Sequence, residues 1–290
     1  LTLFQRTAQW VMPQDNPAYS EEERASFRDD PSTAAALHDE ISELFANGFS
    51  NAVVDADSEL LHKIEETCRL NLEESVTDPV LREQLRPDYR AACKRLVISP
   101  NFYEGIQKTN ASLVTETITE VEANGVRTAD GQYHELDVLI VATGFQVDRF
   151  LRPIDVVNPD GLHLSEAWAQ RPNAYLSVAV PGFPNLFMLN GPNGPVGNFS
   201  LIEVAELQFA YFAQLIELLR SGEAEALSPT FEATKAFEGE RVEQAKKTVW
   251  ATGCRSWYLD DRGIPAAWPW TFQKFRDAMT QPDLAHYQKK

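Results

Sequence analysis

The chain has 290 residues, of which 43% are hydrophobic and 24% are charged, the ordinary balance of a water-soluble globular protein. Its 43 acidic residues outnumber 26 basic ones and give a net charge of −17, so we expect neither nucleic acid nor an anionic membrane surface as a partner. No apolar run approaches the roughly 18 residues that a membrane span needs.

The first half of the chain predicts short strands interrupted by helices. Residues 1–12 alternate and then become apolar before Pro13, which indicates a strand and a turn. Residues from about 14 to 88 are polar, with helical spacing at Leu37, Ile41 and Leu44, so we expect a helical insert there. Short strands are predicted at four further segments: 95–98, 111–114, 118–126 and 131–134, the last two around an Asn-Gly turn.

The second half contains two apolar runs that end at glycines. Residues 136–145 form a continuous apolar run, the texture of a fully buried parallel strand. Residues 185–191 predict a second buried strand, and a helix follows from about 200 to 220. Because that helix is apolar nearly all round, we expect it to be buried. A polar helix over about 230–250 and an aromatic tail end the chain.

The turn at 191–197 joins the second run to the apolar helix. Its glycines would let the backbone approach a ligand, and a helix N-terminus offers free N–H groups and a partial positive charge. This arrangement suits the electron-rich pyrimidine end of a flavin, but an ordinary strand-to-helix turn explains it as well. The phosphate-binding fingerprint G-x-G-x-x-G occurs nowhere in the chain.

Five segments in order resemble the flavin-containing and Baeyer–Villiger monooxygenase superfamily. They are LFQRT at 3–7, KRLVIS at 94–99, VLIVATGF at 138–145, FPNLFMLNGPNGPVGN at 183–198 and CRSWYLDDRG at 254–263. The resemblance implies an α/β chain with a partial two-dinucleotide-binding-domain flavoprotein fold and a helical insert. Residues 1–145 would be the remainder of the NADPH-binding domain. Residues 146–290 would be the C-terminal part of the FAD-binding domain, with the substrate-side helices and tail.

The matching positions of the first half imply an NADPH site and a catalytic arginine. Arg6, Thr7 and Lys94 match contacts to the 2′-phosphate of NADPH, which a guanidinium can grip with two hydrogen bonds. Arg95 matches the catalytic arginine. In the implied reaction NADPH reduces the flavin, O2 adds to give an anionic peroxyflavin, and this attacks a ketone to yield an ester or lactone. A fixed cation would stabilise both anions, although a salt bridge beside a strand would also explain Arg95.

Further matches imply contacts to the cofactors and the substrate. Trp257 matches a tryptophan near the nicotinamide and the substrate, with an ordinary core aromatic as an equal alternative. The other implied cofactor-binding residues lie in the two glycine-containing turns: Thr143, Gly144, Phe145, Asn190, Gly191, Pro192 and Asn193. Aromatic residues near these turns favour an apolar or aromatic substrate.

The sequence departs from the superfamily by lacking both N-terminal glycine fingerprints, which would lie upstream of Leu1. We therefore expect the native protein to begin further upstream, and this chain alone to bind FAD weakly or not at all and to be inactive. The histidines show no paired spacing, so we predict no metal site. Three cysteines, an odd number at wide spacings, favour a reducing, cytoplasmic setting.

Three other functions fit the sequence less well. An N- or S-oxygenating flavin monooxygenase would keep the cofactors, but soft nucleophiles need a neutral hydroperoxide, and the Lys94–Arg95 pair favours a stabilised anion. A flavin disulfide reductase would need a C-x-x-C pair, which the chain lacks. An inactive truncated remnant with only a folding or binding role is the alternative from another class.

Overall fold

The computed structural model describes residues 1–290. Nine α-helices follow one another along the chain: α1 (Glu21–Asp29), α2 (Pro31–Phe45), α3 (Glu59–Ser75), α4 (Pro79–Gln84), α5 (Phe102–Ile106), α6 (Leu164–Ala167), α7 (Leu201–Arg220), α8 (Phe231–Ala245) and α9 (Phe272–Thr280). The strands are β1 (Thr2–Phe4), β2 (Val11–Met12), β3 (Val97–Ile98), β4 (Ser112–Val114), β5 (Ile118–Glu122), β6 (Gly125–Thr128), β7 (Tyr133–Glu135), β8 (Leu227–Pro229) and β9 (Tyr287–Lys289). No helix has both the length and the apolar character needed to cross a membrane.

The chain divides into two compact units. The first contains residues Leu1–Ala18 and His62–Phe145, and the second contains Tyr19–Leu61 and Gln146–Lys290. The helices predicted for residues 14–88 are present, but α1 and α2 group with the second unit, whereas α4 groups with the first. The assignment of the two halves to NADPH and FAD stays a prediction.

The first unit is built on short parallel strand pairs and one antiparallel sheet. Strand β1 pairs with β4, and β2 pairs with β3, both in parallel. Strands β5, β6 and β7 form the predicted antiparallel excursion. The core of this unit lies between β2, α3 and α5, where Val11, Leu72, Val76 and Tyr103 are buried together.

The second unit has an aromatic core between α7, α8 and α9. Tyr211 and Leu215 of α7 pack in the same cluster as Phe272 and Phe275 of α9. Each of these helices begins at a hydroxyl residue whose side chain accepts a hydrogen bond from the third residue of the helix, the usual N-terminal cap. The capping residues are Ser200 for α7, Thr230 for α8 and Thr271 for α9.

The apolar run at 136–145 is not the buried strand that the sequence predicts. After β7, the backbone N–H of Leu136 still donates to Asn124 O at 2.9 Å, and residues 137–145 then form no strand. Ile140 is 80% exposed and Phe145 is 95% exposed. The prediction was wrong for this structure because a strand needs a neighbour to pair its backbone groups, and no other strand lies alongside this run.

Two further predictions in the second unit need correction. Residues 185–191 form no continuous strand, because Asn185 and Asn190 both have left-handed backbone angles that break the pleat; a single antiparallel bridge joins Phe187 to Ala179. Helix α7 is present over almost the predicted range but is not buried all round. Its inner face is buried, whereas Ile202 is 75% exposed and Phe209 lies on the same exposed face.

Candidate active site

The segment after β1 and the segment before β3 meet in the first unit. Tyr89 connects them, since its hydroxyl donates to Ala8 O at 2.9 Å and its ring lies under the Lys94 ammonium, 4.5 Å from nitrogen to ring centroid. The predicted phosphate ligands Arg6, Thr7 and Lys94 therefore belong to one cluster. Arg6 is exposed at its rim, and Thr7 is partly buried.

The pKa of Lys94 reflects the charges in this cluster. Partial burial lowers the pKa of its ammonium group from the ordinary value, and the nearby positive charge of Arg6 lowers the pKa further, although Asp88 opposes both. Arg6 and Lys94 place two positive charges in one region, which favours an anion there in spite of the negative charge of Asp88. The cluster can therefore hold a phosphate group.

Arg95 follows directly and differs from its neighbour. Its side chain is exposed, and it takes part in none of the ion pairs of the structure, which include those of Arg86 and Arg90 in the same unit. The alternative of a salt bridge beside a strand therefore has no support. A free guanidinium is available to an anionic ligand or to a charge that develops during a reaction.

The predicted cofactor contacts at 143–145 lie on the exposed run of the first unit. Gly144 has a φ of +92°, a conformation that glycine adopts without strain. Thr143, Gly144 and Phe145 are all exposed. The residues are thus accessible, but no neighbouring element fixes their positions.

The loop at 190–194 in the second unit is held much more firmly. Gly191, Pro192 and Asn193 are buried, and Asn190 is partly exposed. The Asn193 amide donates to Ala266 O at 3.4 Å, and the backbone N–H of Trp268 donates to Gly194 O at 3.0 Å. The loop is therefore attached to the C-terminal tail, and a ligand would reach it at Asn190.

Two residues that the sequence analysis missed hold this loop from the other side. The Ser177 hydroxyl donates to Gly191 O at 2.6 Å, and the Gln208 side chain accepts from the backbone N–H of Asn190 at 2.6 Å. Both residues are fully buried. The sequence carries one signal for Gln208, because it is the polar member of the otherwise apolar stripe Val204, Gln208, Tyr211, Leu215 on α7.

Trp257 lies on an aromatic stack in the second unit. Its ring packs on Tyr258 with centroids 4.1 Å apart, and Tyr258 packs in turn on the buried Trp250 at 5.2 Å. Trp257 is 44% exposed. An ordinary core aromatic would be buried, so the half-exposed ring leaves a face for a ligand while the stack fixes its orientation.

A separate cavity of about 260 Å³ lies elsewhere in the second unit. It is lined by Arg149, Arg152, Trp168 and Arg171, among others, and by none of the predicted site residues. The candidate residues thus form two clusters, one around Arg6 and Lys94 in the first unit and one around Asn190 and Gly191 in the second.

Comparison with known proteins decides the family. No family model matches the chain. It is 42% identical over 278 residues to an uncharacterized monooxygenase of Mycobacterium tuberculosis (strain H37Rv), covering 95% of this chain and 55% of that protein. It is also 37% identical over 294 residues to a Baeyer–Villiger monooxygenase of Streptomyces coelicolor, covering 99% of this chain and 56% of that protein. The chain is a homologue of the Baeyer–Villiger monooxygenases. It spans about half the length of these relatives.

Solved structures agree with this relationship. Cyclohexanone monooxygenase from Rhodococcus sp. Phi1 bound to NADP+ is 25% identical, with a TM-score of 0.82 over 100% of this chain and 62% of that one. OTEMO in complex with FAD and NADP is 23% identical, with a TM-score of 0.83 over 100% of this chain and 61% of that one, a likeness of fold alone. The predicted fold class, part of a two-dinucleotide-binding flavoprotein, is confirmed.

Proposed function

We propose that the protein containing this chain is an NADPH- and FAD-dependent monooxygenase that converts a ketone into an ester or lactone. The balanced reaction consumes the ketone, O2, NADPH and one proton, and yields the ester, NADP+ and water. The observation that carries the proposal is the free, exposed Arg95 guanidinium in a chain homologous over 99% of its length to a named Baeyer–Villiger monooxygenase.

Arg95 is proposed as the catalytic residue. Attack on a ketone carbonyl places negative charge on its oxygen, and a fixed positive charge lowers the energy of that state. Removing such a group costs about 3 kcal/mol of transition-state stabilisation. Arg95 suits this role because no carboxylate of the structure neutralises its charge.

The residues of the first cluster fit the 2′-phosphate of NADPH. Arg6 provides an exposed guanidinium, and Lys94 adds a second positive charge, whose pKa is lowered mainly by partial burial and to a smaller extent by Arg6. A dianionic phosphate would be attracted by both charges, and arginine can bind it with two parallel hydrogen bonds. Thr7 would add a hydroxyl beside them.

The second cluster, around Asn190 and Gly191, offers a hydrogen-bond acceptor that suits a flavin ring. The Asn190 amide oxygen is shielded from solvent and has no hydrogen-bond donor in the structure, and an orphaned acceptor of this kind calls for a partner. The pyrimidine edge of an isoalloxazine ring carries an N–H donor between two carbonyl groups. When bound, the flavin would pass electrons from NADPH to O2, and Thr143, Gly144, Phe145 and Trp257 are the further proposed cofactor contacts.

The exposed apolar surfaces support a proposal about the rest of the protein. The relatives are almost twice as long as this chain, and the run at 136–145 together with the outer face of α7 presents apolar side chains to solvent. Patches of this kind mark interaction sites. We infer that an N-terminal half covers them and completes the nucleotide domains, with residues 1–145 serving NADPH and 146–290 serving FAD. The proposed cytoplasmic location rests on the sequence alone.

Cofactor binding tests the need for that half. The 290-residue chain and the full-length protein are each mixed with excess FAD, freed of unbound cofactor and scanned in the visible range. We expect a colourless chain and a yellow full-length protein. A yellow 290-residue chain would contradict the inferred need for an N-terminal half.

Activity tests the reaction itself. NADPH consumption by the full-length protein is followed with and without a cyclic or aromatic ketone, and the ester is identified by mass spectrometry. We expect one ester per NADPH consumed, and a turnover at least about a hundredfold lower in Arg95→Ala. Arg220→Ala is the matched control, because Arg220 is exposed and pairs only with Glu217. Oxidation of sulfides or amines without ketone turnover would reject the proposal.

A further inference from the structure

Gln208 is an amide side chain in the core of the second unit. It lies in the middle of α7 and is fully buried. Burying an amide is unfavourable unless its hydrogen bonds are made. Its oxygen accepts from the backbone N–H of Asn190 at 2.6 Å, and its nitrogen donates to Ser177 O at 3.4 Å. Gln208 therefore joins two segments of chain that are separate in sequence.

Both of these segments have unusual backbone angles. Leu176 and Ser177 have φ values of +51° and +65°, and Asn190 and Asn193 have +51° and +65°. A non-glycine residue in this region costs on the order of 1 kcal/mol, and it persists only when its surroundings hold it there. The two hydrogen bonds of Gln208 are part of those surroundings, since one ends on Ser177 and the other on Asn190.

The two segments also approach each other closely. A Cβ atom added to Gly191 would collide with Ser177 O, and one added to Gly194 would collide with the Ser177 hydroxyl. The backbone at 191–194 is thus packed directly on Ser177, whose hydroxyl donates to Gly191 O. Ser177 is the residue that the 191–194 backbone contacts, and Gln208 is hydrogen-bonded to both Ser177 and Asn190.

We propose that Gln208 is a positioning residue for the flavin site, acting through Asn190. It touches no cofactor, because it is fully buried. By holding the backbone N–H of Asn190, Gln208 fixes the backbone from which the Asn190 side chain projects. The Asn190 amide nitrogen donates to Leu201 O at 3.3 Å, and its amide oxygen has no donor. The inference rests on the proposed function, since it assumes that FAD is the ligand that meets Asn190.

The test uses FAD binding and the flavin spectrum of the full-length protein. In Gln208→Leu the side chain keeps its approximate volume but leaves the Asn190 N–H unpaired. We expect a rise of about tenfold in the FAD dissociation constant and a shifted visible spectrum of the bound flavin. Gln208→Glu should lie near the wild type, because a buried, protonated carboxyl offers the same acceptor and one donor.

Gln214→Leu is the matched control. Gln214 lies on the same helix and its amide also donates to backbone carbonyls, those of Ala210 and Thr280, but it is exposed and remote from Asn190. We expect its FAD affinity and spectrum to equal those of the wild type. The unfolding temperature of each apoprotein is measured in parallel.

A lowered unfolding temperature in Gln208→Leu, with wild-type FAD affinity and spectrum, would overturn the proposal and leave Gln208 a structural residue only. If Gln208→Leu does not fold, the unbranched Gln208→Met, which also lacks the acceptor for the Asn190 N–H, is measured instead; weaker FAD binding then supports the proposal and unchanged binding overturns it. A wild-type full-length protein that binds no FAD would refute the proposed function itself, which is visible before any variant is made.

Discussion

The positively charged residues Arg6, Lys94 and Arg95 of the first unit and the loop at 190–194 of the second are organised in opposite ways. Around Arg6, Lys94 and Arg95 the charged groups are exposed or only partly buried, and Arg95 has no ion pair. At the loop, by contrast, the backbone is tied by side chains from Ser177 and Gln208. The first region keeps its charges available to a ligand, and the second fixes the shape of its backbone before any ligand arrives. Changes in the second region should therefore affect folding and, through the shape of the loop, flavin binding, whereas changes in the first should affect binding and chemistry without affecting folding.

The largest expected effect on stability is that of Glu238→Gln, which acts on the segment at 265–266 that contacts the 190–194 loop. Arg241 of α8 is fully buried and pairs with Glu238 at 2.6 Å. It also donates to Pro265 O, next to the carbonyl of Ala266 that accepts from Asn193. Removing the carboxylate leaves a buried charge unpaired, which costs about 3 kcal/mol. Chemical denaturation measures the loss, and Glu232→Gln on the exposed side of the same helix is the control.

The pH dependence of the same pair sharpens this prediction. Burial raises the pKa of Glu238, but its hydrogen bonds and ion pairs with Arg241 and Arg262 outweigh burial and lower it below the ordinary value. A carboxyl with a lowered pKa stabilises the folded state above its unfolded-state pKa, and this is lost as pH falls through the folded-state pKa. The difference between wild type and Glu238→Gln should therefore be full at pH 7 and shrink below about pH 4.5. A difference that stays constant down to pH 3 would contradict this assignment.

Gly191→Ala should have the next largest effect. The new Cβ atom would meet the backbone oxygen of Ser177, which cannot move without displacing a strained segment. Overpacking of this kind costs about 2 kcal/mol. Gly239→Ala is the control, because Gly239 lies in α8 with open space around it, and alanine there should stabilise the helix by about 1 kcal/mol. Equal effects of the two substitutions on the unfolding midpoint would refute the close packing of the loop.

The same contrast explains which features the sequence predicts. Residues suited to a charged ligand are recognisable by type, so Arg6, Lys94 and Arg95 could be proposed from motif and chemistry, and their roles stay predictions. Helices with clear periodicity, such as α7, were also predicted nearly to the residue. Ser177 escaped prediction because its role depends on a left-handed backbone angle and a contact with Gly191, and neither leaves a periodic pattern.

The run at 136–145 shows the converse failure. Its composition predicts burial, yet burial and strand formation depend on neighbours that a local pattern does not contain. The side chains of this run are exposed, so its apolar composition alone did not predict its burial correctly. The apolar face of α7 was overestimated for the same reason, since its inner half packs on α9 and its outer half meets solvent.

Arg6→Ala should have a smaller effect, confined to cofactor choice. Losing one charge-assisted hydrogen bond to a phosphate corresponds to about a tenfold rise in the KM for NADPH in the full-length protein. The KM for NADH should not change, because NADH lacks the 2′-phosphate. Arg28→Ala on α1, an exposed arginine outside both clusters, is the control. An equal rise for both cofactors would mean that Arg6 acts on the fold or on the shared part of the nucleotide.

The smallest expected effect is that of Arg95→Ala on the free energy of unfolding. An exposed guanidinium without an ion pair contributes little to the folded state, so the change should stay within about 0.5 kcal/mol. Arg90→Ala is the matched contrast, because Arg90 makes two hydrogen bonds to Glu65, at 2.7 and 3.1 Å, and its loss should cost about 1 kcal/mol. Denaturant titration of both variants in the full-length protein provides the measurement. If Arg95→Ala unfolds as easily as Arg90→Ala, Arg95 is part of the fold and its loss of turnover could not be assigned to chemistry. A stable variant without ketone turnover would assign the positive charge of Arg95 to the reaction.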